Sequence, residues 1–211
     1  MFIRKISLLL MIITMSHSLL SKPADIKLPA PQTTGGKALM DCLSERKTSR
    51  NFVDKPLDLQ TLSNLLWAAN GVNRPAEEKT TAPTARNMQE IDIYVFTEKG
   101  VYKYDNKAHK LLGMLSGDHR KATGNQAFVK DASVNLVYVA DYTKMSGVGD
   151  RKENYAYADA SFICQNVYLF GASEGLGVVV RGNINRDEIA KLLQLGKDYF
   201  VVFGQSVGYT E

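Results

Sequence analysis

One segment constrains this chain more than any other. From about residue 154 to residue 173 it reads as a single long helix that closes at Gly175 and Gly177, and Phe162, Ile163, Val167, Leu169 and Phe170 surround its axis instead of forming one stripe. A helix that is apolar around its circumference is buried on several sides. In a chain of 211 residues, enough for one domain with a sizeable core, covering ~20 residues of helix on all sides requires a second copy, so a homodimer is expected.

The rest of the pattern alternates between periods. Residues 36–46 place Leu39, Met40 and Leu43 at helical spacing, and residues 58–69 repeat that spacing behind Asp58, a helix-capping residue type. Residues 70–81 (NGVNRPAEEKTT) read as a polar loop. Residues 91–96, 101–104, 134–140, 178–181 and 200–203 are rich in Val, Ile, Tyr and Phe and read as strands, with helices between them.

Apolar residues make up 45 % of the chain and charged residues 23 %, which excludes an intrinsically disordered, collagen-like or coiled-coil chain. Residues 1–21 read as an export signal, with Arg4 and Lys5 ahead of an apolar run from Ile6 to Met15 and small residues after it. That run is about half the ~20 residues needed to cross a bilayer, so no permanent span is expected, and the location implied is periplasmic or secreted. Residues 22–34 carry three of the six prolines and read as an extended arm, leaving 35–211 as the folded domain. Removing Arg4 and Lys5 with the leader takes 26 basic residues to 24 against 22 acidic, a net +2 that argues against nucleic acid as a partner. Cys42 and Cys164 lie 122 positions apart, without metal or redox spacing, and read as buried thiols on two helices, a disulfide remaining possible in an exported chain. His17, His109 and His119 form no zinc-type pair, so no metal site is expected.

Four polar runs carry candidate chemistry. The first, residues 46–52 (RKTSRNF), sends Arg46, Thr48 and Arg50 to one side if it is extended, two guanidinium forks flanking a hydroxyl, a good receptor for phosphate. A solvated basic run after a helix is the plainer reading. The second, residues 82–89 (APTARNMQ), joins small and rigid residues to Thr84, Asn87 and Gln89, which suits a flat heteroatom ring, or an ordinary turn. The third, residues 124–132 (GNQAFVKDA), offers the amides of Asn125 and Gln126, or a helix cap. The fourth begins at Asp159 (DASFICQNVYLFGASEGLGVVVRGN), where a strand stopping at Arg181-Gly182 turns backbone N–H groups toward a ligand at the sheet edge.

The order and spacing of these runs resemble the FMN-dependent nitroreductase superfamily from Ala38 to Tyr209: a basic R-x-S/T-x-R-x-F run, a P-S/T-x-x-N-x-Q run, an N-Q segment, and a D-A-x-x-x-x-Q-N helix followed by E-x-L-G. The polar insertion after Gly71 is similar to the branch of azoline-oxidising dehydrogenases that act in thiazole and oxazole peptide synthesis. The resemblance implies an α+β, nitroreductase-like fold, a central and mostly antiparallel sheet flanked by helices in an intertwined homodimer. It also implies FMN as cofactor, with Arg46, Lys47, Thr48 and Arg50 on its phosphate, Asn125 and Gln126 on the ribityl chain or pyrimidine edge, and the backbone of Arg181 and Gly182 at the ring's N5 and O4. Pro83, Thr84, Ala85 and Asn87 would reach the ring from the second subunit. The activity implied is hydride transfer from a reduced donor such as NAD(P)H to nitro-aromatic or quinone-like acceptors, with the flavin and no separate acid or base carrying the hydride. An exported flavin-binding protein without catalysis is the alternative.

The pattern departs from the family in two places. No Lys or Arg follows Lys197, where many relatives carry basic residues that reach the phosphate, and Glu90-Ile91 stands in place of Pro-Trp after N-x-Q.

Overall fold

Alternation along two central strands organises the molecule. The computed structural model describes residues 22–211; the expected leader, 1–21, lies outside them. Strands β4 (Ile91–Phe96) and β7 (Val134–Asp141) are buried along their whole length. Ile91, Ile93, Val95, Leu136, Tyr138 and Ala140 enter one core cluster, while Tyr94, Phe96, Val137 and Val139 enter a second on the opposite face, as a period of two dictates. The sheet therefore needs cover on both sides.

Seven strands make that sheet in the order β1 (Ile26–Lys27), β6 (Lys110–Ser116), β5 (Gly100–Asp105), β4, β7, β9 (Tyr199–Gly208) and β8 (Gly177–Arg181), every neighbouring pair antiparallel. Helices α2 (Leu59–Asn70) and α3 (Lys152–Glu174) cover the first face, and α4 (Arg186–Leu192) covers the second. Helix α1 (Leu39–Glu45) packs against α3. This is the expected α+β architecture. Among the described residues, no helix is long and apolar enough to cross a membrane.

Local chemistry sets the helix ends. Asp58 caps α2 by accepting from the Thr61 N–H at 2.9 Å and the Thr61 hydroxyl at 2.7 Å, bonds that hold its carboxyl below the usual range. Leu62, Leu65, Leu66 and Ala69 then fall on one buried stripe. Helix α3 stops at Gly175, whose φ of +70° is the left-handed cap that favours glycine, and the Leu176 N–H returns to the Gly171 carbonyl at 2.8 Å. Both cysteines are free and buried, Cys42 on α1 and Cys164 on α3, and burial pushes the Cys164 thiol up to about 12.

Three elements differ from the sequence expectation. Residues 70–81 are not an irregular loop: β2 (Val72–Arg74) and β3 (Lys79–Thr80) form a small hairpin, closed by the Thr81 N–H on the Gly71 carbonyl at 2.9 Å. Strand β6 is hidden in the sequence by Gly113, which packs against the Pro23 carbonyl with no room for a side chain. Strand β9 runs on to Gly208 because Gln205 and Ser206 are fully buried and bonded, Gln205 to Tyr138 and the Cys164 carbonyl and Ser206 to Asn135.

The arm lies on its own subunit. Beyond β1, the Pro29 and Ala30 carbonyls accept from Ser63 and Gln60, and the Gln32 N–H donates to Asn64. The Gly113 N–H donates to Asp25 at 2.9 Å. Gly113→Ala should unseat this arm, lowering stability by ~1–3 kcal/mol through overpacking. Limited proteolysis should then cut between residues 22 and 32 faster than in the parent chain.

Candidate active site

The basic run is built onto an open sheet edge. Strand β8 is the last strand, and its outer edge would leave N–H and C=O groups unpaired. Arg46 ends α1 with its N–H on the Cys42 carbonyl at 2.9 Å, and the chain then runs extended along β8. Thr48 bridges Val178 in parallel, the Ser49 N–H donates to the Val178 carbonyl at 3.0 Å, and Phe52 bridges Thr210.

Tyr168 of α3 completes this edge. Its hydroxyl accepts from the Val180 N–H at 3.0 Å and lies 3.2 Å from the Thr48 hydroxyl, while the Arg46 guanidinium sits over its ring, 5.3 Å from the centroid. Arg46, Lys47 and Ser49 line a cleft of about 460 Å³ together with Lys37, which pairs with Glu45. Thr48 is turned to Tyr168, and Arg50 is exposed and does not line the cleft. The expected two-way alternation fails at its first residue, because Arg46 is still the helix cap.

At the other end of β8 the third and fourth runs converge. A Cβ on Gly124 would collide with Arg181 Nη1 and lie 2.8 Å from Gln126 Oε1, so glycine lets these two side chains meet. Gln126 donates to the Asn183 carbonyl at 3.2 Å, while its Oε1 is buried without a partner. Asn125 is exposed and lines a cleft of about 580 Å³ with Gly124, Gln126 and Lys130. Arg181 is buried, donating to the Thr123 carbonyl at 2.5 Å, the Thr123 hydroxyl at 3.2 Å and Asn135 Oδ1 at 3.3 Å, with Nε unpaired. Gly182 is exposed, and a Cβ there would meet nothing within 4 Å. Since Val178 and Val180 aim their backbone groups at the outer edge, the period of two sends the Gly182 N–H the same way.

The second run forms a strained turn. Arg86, Asn87 and Gln89 have φ of +54°, +55° and +49°, a region that non-glycine residues enter at a cost of ~1–3 kcal/mol each. The Thr84 hydroxyl accepts from the Gln89 N–H at 3.0 Å, and the Ala85 N–H donates to Asp159 of α3 at 2.9 Å. Pro83 and Asn87 are exposed, Thr84 and Ala85 half-buried. Asp159 and Tyr168 are nine residues apart on α3, about 14 Å, so this turn is held away from its own chain's basic run.

Sequence reasoning named Asp159 only as the start of the fourth run and Glu90 only as a departure from the family pattern, and it gave no role to Tyr168. Glu90 is fully buried beside Asp159, with neither carboxyl oxygen hydrogen-bonded. Burial pushes its carboxyl up to about 7, Asp159 adding to the shift and Lys144 opposing it. His109 and His119 serve structure: His109 bonds Ser63 and Tyr104, and His119 contacts the Ser116 carbonyl. Among the described residues, no group of three His, Cys, Asp or Glu could hold a metal.

Comparison with known proteins identifies the family. Residues 43–209 match the Nitroreductase family. A nitroreductase homologue of Methanocaldococcus jannaschii is 34 % identical over 172 residues, covering 76 % of this chain and 86 % of its own. The crystal structure of a nitroreductase homologue from Ralstonia eutropha superposes with a TM-score of 0.84 at 40 % identity, covering 92 % of this chain and 95 % of that one. The NADPH:FMN oxidoreductase of Vibrio harveyi, complexed with NAD+, shares the fold, with a TM-score of 0.61 at 19 % identity over 82 % of this chain and 69 % of its own. The chain belongs to the nitroreductase family, and is an oxidoreductase of nitroreductase type.

Two outcomes test the supporting residues. Tyr168→Phe removes the hydroxyl that joins Thr48 to β8 and should lower stability by ~1–3 kcal/mol in urea unfolding, since it leaves the Val180 N–H unpaired. Glu90 holds its proton more tightly folded than unfolded, so its contribution is full below about pH 4.5 and is lost as pH rises through about 7. Glu90→Gln should remove that component, gaining ~1–3 kcal/mol on the parent at pH 8 relative to pH 5.

Proposed function

We propose that the chain is an FMN-dependent oxidoreductase that works as a homodimer, passing hydride from a reduced donor such as NAD(P)H to nitro-aromatic or quinone-like acceptors. The observation that carries this reading is the pair of stations on one edge strand, a basic cleft where β8 begins and polar groups around open Gly182 where it ends. From Val178 to Gly182 the separation is about 13 Å, a suitable reach for a ligand with an anionic tail and a flat head. The family and the neighbouring NADPH:FMN oxidoreductase support flavin as that ligand.

The residues present fit FMN. Arg46 and Lys47 bring positive charge to the tail beside the Lys37–Glu45 pair, while Arg50, exposed outside the cleft, would act from the solvent side. Thr48, turned to Tyr168, fixes the strand that presents them. At the head, the Gly182 N–H faces the outer edge, and Gln126 Oε1 is a buried acceptor awaiting a donor. FMN, when bound, supplies the ring nitrogen that takes and returns hydride. The chain's part is to grip, orient and desolvate.

Exposed apolar faces support the homodimer. Leu39, Met40 and Leu43 of α1 are 61 %, 72 % and 46 % exposed, and Phe162 of α3 is 48 % exposed. The side of α3 opposite its buried stripe is uncovered in a single chain. A second copy would cover these faces and bring its own turn at Pro83, Thr84, Ala85 and Asn87 toward the flavin.

We also infer export to the periplasm or beyond, on the strength of the leader alone. N-terminal sequencing of the protein from the cell envelope should find residue 22 first; retention of Met1 on all molecules overturns export. For the cofactor, the purified protein should be yellow, bleach with a reductant and recolour with an acceptor. Arg46→Ala and Arg50→Ala should each weaken FMN binding by ~1.5–3 kcal/mol in a fluorescence titration. Unchanged affinity in both removes them from the site.

A further inference from the structure

Two arginines are buried in this domain, and their surroundings differ in kind. Arg120 is 5 % exposed and is neutralised by Asp118 at 2.8 Å and Asp54 at 3.1 Å, which hold its pKa above the ordinary value. Arg181 is 4 % exposed and has only neutral partners, the Thr123 carbonyl and hydroxyl and Asn135 Oδ1. No carboxylate pairs with it among the described residues, and its Nε has no acceptor. Burial pushes its pKa down to about 10, so the charge persists at neutral pH.

A buried cation without a counter-charge is destabilising, and the fold could relieve it with one carboxylate. Instead, space is reserved for the guanidinium on two sides, by Gly124 and by Gly204, where a Cβ would lie 2.9 Å from Nη2. Asn135 takes a position where its isostere Asp would neutralise the charge. The guanidinium packs against Gly124, which with Asn125 and Gln126 lines the cleft at the head end of the candidate site. This charge is therefore kept, and kept without a counter-charge, beside that cleft.

Resting on the flavin reading above, we propose that Arg181 is an electrostatic bias for the reduced cofactor: its unneutralised guanidinium favours the ring after it has gained negative charge and so raises the potential of bound FMN. Reduction adds two electrons and one proton to the ring, leaving one net negative charge, which a fixed cation in a dry site favours over the neutral oxidised ring. The residue acts through charge rather than contact with the substrate. A merely structural arginine would support both oxidation states equally.

The test compares the FMN-loaded parent with Arg181→Gln, Arg181→Lys and Asn135→Asp, reading the midpoint potential by dithionite titration against a reference dye and the affinity for oxidised FMN by fluorescence. Arg181→Gln should lose at least tenfold in preference for reduced over oxidised FMN, about 30 mV for a two-electron couple, while its affinity for oxidised FMN changes less than threefold. Arg181→Lys should retain most of the parent's potential. Asn135→Asp, which leaves the arginine in place and adds the missing counter-charge, should shift the potential the same way as Arg181→Gln, and it decides the matter if the Arg181 variants do not fold. A potential unchanged in Arg181→Gln and Asn135→Asp, or equal losses of affinity for both oxidation states, overturns the inference while leaving the flavin reading intact. A parent protein that binds no FMN overturns both.

Discussion

The outer edge of β8 is the constraint from which the rest of the site follows. An unpaired edge invites association with another chain, and here it is closed by the Ser49 N–H on the Val178 carbonyl and by the Tyr168 hydroxyl on the Val180 N–H. Closing the edge this way also fixes the basic run at one end, and leaves the next outward-facing position, Gly182, uncovered. The bonds that protect the edge also hold the candidate binding run in place. The long helix enters the site through this role, because Tyr168 and Asp159 both project from α3, one toward the edge strand and one toward the strained turn.

Much of this was legible in the sequence, for identifiable reasons. Enrichment in Val, Ile, Tyr and Phe marked residues 91–96 and 134–140 as strands, apolar on both faces because both faces of the sheet are covered, and Asp58 marked a helix start because its side chain caps α2. The order of the four runs was legible because each is local in sequence. What was not legible is long-range. Gln205 and Ser206 look like a turn until Tyr138 and Asn135 are known to face them, and Tyr168 looks like core until its hydroxyl is seen to bridge Thr48 and Val180. Gly113 lies in a strand the sequence reading did not find and Gly204 just past the end it gave the last strand, and each makes room for a neighbour.

The long helix shows how far a pattern carries. Its apolar residues point around the axis, as expected, but the single chain covers one side: Ile163, Cys164 and Val167 face the core while Phe162 does not. The sequence signal therefore combined two surfaces, one packed within the domain and one presented outward. Helix α1 repeats this arrangement at smaller scale, burying Cys42 while Leu39 and Met40 face outward. Both helices therefore carry outward apolar residues, and α1 ends at Arg46, on the rim of the basic cleft.

The placement of the arm has a practical consequence. Strand β1 occupies the edge opposite β8, six strand spacings away, or about 29 Å across the sheet. Whatever is fused ahead of Lys22, whether an affinity handle, a fluorescent reporter or a surface tether, leaves the domain from the far rim. Immobilising the protein through that terminus would keep the β8 rim open to solvent.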